Sequence, residues 1–200
     1  MRRRKRKELR FDRKHRKHIN LKWIPEVFGW VFQIVLVCLC AFVFVWYFGH
    51  QISNIGESMN PVIRNGDVVL VNRIVYDAST PKRGDIIVFK PKGNENLHSY
   101  IKRIIGLPGE TVNIVDGTVY VTGTDGKTMQ LRDDFVSPEN KDNYNGTFVV
   151  PEDSYFVMGD NRDNSVDSRY WTTTNFVSRD KFIGKVMFRY YPFNTAGKLE

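Results

Sequence analysis

VFGWVFQIVLVCLCAFVFVWYF, from Val27 to Phe48, contains no charged side chain and a single amide, Gln33. As a helix rising ~1.5 Å per residue it extends ~33 Å, enough to cross a hydrocarbon core of ~30 Å. The run therefore reads as a transmembrane helix. Trp23, Trp30, Trp46 and Tyr47 lie near its two ends, where amphipathic rings settle at headgroup level. A cleaved signal peptide has a shorter apolar region, ~7–15 residues, closed by a small-x-small site. Here Gly49-His50-Gln51-Ile52 follows instead, and the run is read as an uncleaved signal anchor.

Working outward from the span, Met1 to Lys22 holds 12 Lys/Arg and 2 acids. The whole chain has 30 bases and 22 acids, so the remainder carries 18 and 20, and the net +8 belongs to the first 22 residues. Only Arg64 and Arg73 occur in the 25 residues after the span. This asymmetry predicts a cytoplasmic N-terminus and an extracytoplasmic remainder. A basic arm can also bind nucleic-acid phosphates. Beside a membrane span, however, it is already explained by topology and anionic lipid, so the lipid bilayer is the expected partner and nucleic acid is not. The expected domains are a basic tail at 1–22, a signal anchor at 23–49 and an outer domain at 50–200.

The outer domain reads as short β-branched and aromatic runs separated by Gly, Pro, Asn and Asp: 67–75, 85–89, 100–105, 111–115, 118–122, 155–158 and 181–191. Asp116-Gly117 between two of these runs is a strong hairpin signal, and Asp125-Gly126 turns a second hairpin. The fold class expected is mainly β after one N-terminal helix, with the polar segment 133–147 as a surface loop. Both cysteines, Cys38 and Cys40, fall inside the span, so the outer domain has neither a disulfide nor a thiol nucleophile. His50 and His98 are its only histidines, which leaves a His/Cys metal site unsupported. No metal and no cofactor are expected.

Three segments could carry chemistry. Gly56-Glu57-Ser58-Met59-Asn60-Pro61 places a serine in a turn, where a hydroxyl commonly serves loop backbone groups. To act as a nucleophile it needs a base and oxyanion donors. Tyr100 to Glu110 puts Lys102 in an apolar strand ending in a Gly/Pro turn, with Tyr100, Lys102 and Ile104 on one face. Lys102 there is either a solvated lysine on an edge strand or a desolvated one held neutral as a base. Met158 to Arg169 gathers Asp160, Asp163 and Asp167 with Arg162 and Arg169, a density that favours a hydrogen-bonded loop. Asp163, Ser165 and Asp167 alternate as in a calcium loop, but its glycine and distal glutamate are missing.

These segments together resemble type I signal peptidases, of the Gram-positive branch. The resemblance runs through Gly56-x-Ser58-Met59-x-Pro61, Gly66-Asp67, Lys82-Arg83-Gly84-Asp85, Tyr100-Ile101-Lys102-Arg103 with Gly106-Leu107-Pro108-Gly109, and Gly159-Asp160-Asn161-Arg162-Asp163-Asn164-Ser165-x-Asp167-Ser168-Arg169. It implies a membrane-bound serine endopeptidase that removes signal peptides from exported preproteins after small-x-small motifs, close to the secretion translocon. By the same resemblance Ser58 is the nucleophile and Lys102 its base. Ser165 orients Lys102, Asp167 and Arg169 form a bracing ion pair, and the Ser58 amide serves the oxyanion. Some family members carry a hydroxyl two residues before the nucleophile; here that residue is Gly56. Val62 stands where a threonine is usual. The implied substrate strands are 52–56 and 99–101, with Ile52, Met59, Ile63, Tyr100 and Ile101 as pocket wall. The alternative is a non-catalytic or specialised relative acting as a chaperone for exported or pilus proteins. Presence of Ser58, Lys102 and Ser165 together weighs for catalysis.

Overall fold

In a computed structural model, residues 23–48, 50–90 and 99–199 are described; the basic tail 1–22 and His98 lie outside them. The apolar run forms α1 (Ile24–Phe48), which begins with Pro25 in its first turn, where a missing N–H costs nothing. Its residues 24–43 have a mean hydropathy of 2.2 and none of that stretch is buried by protein. The helix is thus long and apolar enough to cross a membrane. The chain divides at residues 41/42 into two units.

The second unit is mainly β. Its strands are β1 (His50–Ser53), β2 (Val68–Asn72), β3 (Ile86–Phe89), β4 (Tyr100–Gly106), β5 (Thr111–Val115), β6 (Thr118–Thr122), β7 (Thr128–Gln130), β8 (Gly146–Val149), β9 (Ser154–Met158), β10 (Val177–Ser178), β11 (Phe182–Tyr191) and β12 (Gly197–Lys198). The larger sheet runs β1-β2-β11-β3-β4-β9-β10, with β12 on β11; the smaller runs β7-β6-β5-β8. β4 is therefore an internal strand, not an edge. Residues 101–106 are buried on both faces, because the two sides of the sheet hold separate apolar clusters. One contains Met59, Ile63, Val69, Val71, Ile86, Val88 and Ile101. The other contains Ile87, Phe89, Ile104, Tyr155 and Val157.

The Asp116-Gly117 turn joins β5 to β6 with φ of 48° and 73°, the left-handed pair that a two-residue hairpin requires. Three expectations are corrected. β2 stops at Asn72 rather than Val75, because the Asn72 Oδ1 accepts the N–H groups of Ile74 and Val75 at 3.0 and 3.2 Å and turns the chain into the short α2 (Val75–Ala78). β1 stops at Ser53 rather than Gly56. There Asn54 N–H donates to the Asp67 carbonyl at 2.8 Å and its Nδ2 to the Arg64 carbonyl at 2.9 Å, closing a loop. The segment 133–147 is not wholly a loop: β8 begins at Gly146 and pairs with β5.

Candidate active site

Ser58 lies on the loop between β1 and β2. Beyond the Asn54 bonds, Gly66 N–H donates to the Asn54 carbonyl at 2.9 Å, Arg64 N–H to Asp67 Oδ2 at 2.9 Å, and Gly56 N–H to Asn65 Oδ1 at 3.1 Å. Gly56 has φ +105°, which side chains other than hydrogen rarely permit. Met59 and Ile63, both at 0% exposure, plug the loop into the core. Ser58 itself is half-buried, and among the described residues its hydroxyl has no hydrogen-bond partner. The fixed backbone leaves that hydroxyl free to meet a base, which a serine nucleophile requires.

Lys102 sits on β4 opposite Ile87 of β3, 3% exposed. Among the described residues no carboxylate comes within ion-pair distance of it. Burial lowers its pKa from 10.5 to about 8; Arg169 adds to that effect, while Asp167 and Asp160 oppose it. Its neighbour Arg103 projects to the other face and is treated differently. Arg103 donates Nε and Nη2 to the two carboxylate oxygens of Asp160, both at 2.8 Å, and stacks over the Phe135 ring at 4.1 Å.

Arg103 of β4 pairs with Met158 of β9. One step further lie Lys102 on β4 and Gly159, the first residue after β9. Gly159 is the point at which the three segments converge. A Cβ there would collide with the Ser58 carbonyl oxygen and the Ser165 hydroxyl, and would stand 2.7 Å from the Ser165 Cβ. Hence Gly159→Ala overpacks the site and destabilises the domain by about 1–3 kcal/mol. A thermal-unfolding midpoint unchanged from wild type would refute this close approach.

Asn161 completes the assembly. Its backbone N–H donates to the Ser58 carbonyl at 3.1 Å, its Nδ2 to the Glu57 carbonyl at 3.2 Å, and its Oδ1 accepts the Asn164 N–H at 3.2 Å. Asp167 accepts the Gly159 N–H at 2.9 Å and holds Arg169 through Nε and Nη2, both at 2.9 Å. Arg169 also pairs with Asp142 and donates to the Arg162 carbonyl at 2.9 Å. Ser165 is buried, and its Oγ is one of two buried side-chain polar atoms without a partner among the described residues. An orphaned hydroxyl of this kind costs about 1–3 kcal/mol, so its place calls for a reason. No hydrogen bond joins Ser58, Lys102 and Ser165 to one another; they are gathered around Gly159.

Of the pocket-wall candidates, Met59, Ile63 and Ile101 are core residues, at 0%, 0% and 5% exposure, and can shape a wall only from behind. Ile52 is half-buried against the same cluster. Tyr100 is 41% exposed and offers contact surface. Sequence reading missed Asp160, Asn161, Asp133 and Asp142. The signal for Asp160 was present: an arginine inside an apolar strand has to find a buried carboxylate. Asp133 and Asp142 lay within a segment read as solvated, yet they pair with Arg162 and Arg169.

A family model described as signal peptidase, peptidase S26, matches residues 27–191. Similar curated proteins include a probable signal peptidase I-2 of Synechocystis sp., 39% identical over 147 residues, which cover 72% of this chain and 63% of that protein. Signal peptidase I of Leptolyngbya laminosa is 39% identical over 150 residues, covering 72% and 69%. Signal peptidase IB of Staphylococcus aureus is 30% identical over 182 residues, covering 84% and 92%. The chain thus spans less than two thirds of the Synechocystis relative and nearly all of the staphylococcal one. The crystal structure of a signal peptidase I from Enterococcus faecalis V583 is 36% identical, covers 54% of this chain and 97% of its own, and superposes with a TM-score of 0.42.

Proposed function

The chain belongs to the signal peptidase family, peptidase S26, and on that premise we propose that it is a membrane-anchored serine endopeptidase that removes signal peptides from exported preproteins with Ser58 as nucleophile and Lys102 as base. The observation that carries this reading is Lys102: a lysine in an internal strand, 3% exposed and without a carboxylate partner among the described residues, beside the loop of an unpartnered serine. Burial without a counter-ion disfavours the ammonium, and a base must be neutral to accept a proton.

In the proposed sequence the Ser58 Oγ attacks the scissile carbonyl carbon while its proton passes to the Lys102 Nζ. The tetrahedral oxyanion takes the Ser58 N–H; Gly56 offers no side-chain donor there. As the C–N bond breaks, Lys102 returns the proton to the leaving amine, freeing the mature chain. Water then attacks the acyl-serine with Lys102 again as base, releasing the signal peptide and restoring the Ser58 hydroxyl. The orphaned Ser165 hydroxyl supports a role in holding the Lys102 amine, and the Asp167–Arg169 pair in keeping that loop in place. An extended substrate would lie beside β1 and the start of β4, adding main-chain hydrogen bonds as a further strand.

The proposed organisation is a cytoplasmic tail at 1–22, an anchor at 23–49 and an extracytoplasmic catalytic domain at 50–200, with the basic flank before the helix setting the orientation. Anchoring enzyme and substrate in one bilayer, near the translocon, raises their effective concentration.

Purified full-length protein in detergent is expected to cleave a precursor after a small-x-small motif. With Lys102 at about 8, only about a tenth of it is neutral at pH 7, so kcat/KM should rise nearly tenfold per unit below pH 8 and level off above it. A midpoint near 10.5 would contradict the burial of the base. Binding of the precursor without cleavage would point to the chaperone instead.

A further inference from the structure

The face of β4 that carries Lys102 also carries Tyr100. Beyond Tyr100 lies a groove of about 430 Å³, bordered by Phe89, Val166, Tyr170, Trp171 and Phe176, a volume within the range of small-ligand sites. The Phe89 ring meets those of Tyr100 and Trp171 edge-on, with centroids 6.0 and 5.9 Å apart. Val166 and Tyr170 are 71% and 48% exposed. Apolar groups exposed together around one concavity mark an interaction surface rather than scattered surface residues. The groove has a charge bias as well: it has no acidic lining residue among those described, and Lys90 and Lys181 are its cations. Lys181 shares its charge with Asp180 at 3.1 Å; Lys90 is exposed.

Position identifies the occupant. Val166 directly follows Ser165, and Tyr100 shares the strand face of Lys102, so the groove opens on the side of the base. A base that returns its proton to the leaving amine has to face that amine. The chain beyond the scissile bond therefore departs past Lys102, towards Tyr100 and Val166.

We propose that this groove binds the first residues of the mature part of the precursor and favours an aromatic or large apolar side chain flanked by acidic ones. The ring would lie against Tyr100 and Trp171, with Phe89 behind them, and the acids would face Lys90 and Lys181. This rests on the reading of Ser58 and Lys102 as nucleophile and base. It makes the enzyme a reader of both sides of its cleavage site.

The test uses full-length enzyme in detergent and precursors that share one signal peptide and one small-x-small site. They differ only in the second to fifth mature residues: Phe between acids, Phe between lysines, or Gly and Ser alone. The expected kcat/KM is about tenfold higher for the aromatic-acidic precursor than for either of the others. The double variant Lys90→Glu, Lys181→Glu should invert the preference between acidic and basic flanks, and Trp171→Ala should collapse the preference for Phe. Both lysines are surface cations, so the double variant stays informative even if Trp171→Ala misfolds. Equal kcat/KM across the series overturns the groove while leaving the dyad standing. So does a preference that the double variant leaves unmoved. Failure to cleave any precursor overturns the dyad reading, and the groove proposal falls with it.

Discussion

Ser58→Ala is expected to lower precursor cleavage by about ten-thousandfold or more, the scale on which loss of a nucleophile registers when nucleophile and base act as a unit. The fold should not change. The Ser58 hydroxyl has no hydrogen-bond partner among the described residues, and the bonds that pin its loop come from the Asn54, Asn65, Asp67 and Asn161 side chains and from backbone, including the Asn161 N–H to the Ser58 carbonyl at 3.1 Å. Removing Oγ therefore leaves no buried group unsatisfied, and the unfolding midpoint should stay within a degree or two of wild type. The measurement pairs a cleavage time course with thermal unfolding of the same preparations. Cleavage at even a tenth of the wild-type rate would remove Ser58 from the chemistry. Loss of activity together with loss of structure would leave Ser58 a loop residue.

Lys102→Met is expected to have an equally large effect on activity while raising stability. Methionine fills nearly the same volume without a charge, so cleavage is lost with the base. The stability change follows from the proton balance. Lys102 titrates near 8 when folded against 10.5 for the ordinary group, so between those values the unfolded chain binds more protons and wild-type stability rises with pH. Below pH 8 both states are protonated and the fold bears the whole cost of the buried ammonium, about 3 kcal/mol. Lys102→Met should therefore stabilise the domain by roughly that amount at pH 6–7, with the gain shrinking between pH 8 and 10.5. Chemical denaturation at pH 7 and pH 10 reads this directly. A variant no more stable than wild type at pH 7 would mean that Lys102 is solvated.

What the sequence made legible follows from which signals are local. The span was plain because 22 uncharged residues have few other uses. β3, β5, β6 and β9 were legible because β-branched runs end at Asp-Gly or other turn residues, and Asp116-Gly117 admits little but a tight hairpin. β8 was obscured because its Gly-Thr-Phe-Val is short and half-exposed, and follows a stretch rich in Asp and Asn. The end of β2 was misplaced because Asn72 acts through its side chain on the N–H groups two and three residues ahead, a competition that apolar patterning does not register. For the site, Ser58, Lys102 and Ser165 came from matching whole segments. Pairing of Arg103 with Asp160 depends on strand register across 57 residues, which no local pattern encodes. The burial of Met59 and Ile63 is likewise a tertiary result: an apolar residue beside a reactive one looks the same in sequence whether it lines a pocket or fills the core.

Asn161 holds the Glu57 carbonyl from 104 residues downstream, and the Ser58 carbonyl beside it. During synthesis the serine therefore emerges long before the segment that fixes its carbonyl, and before the loop that brings Ser165 and Asp167. A partly made copy carries the serine and the bonds within its loop, without the contacts from Asn161. The chain is in this sense its own timer: the contacts around Ser58 close only when its last third arrives and folds back onto its first.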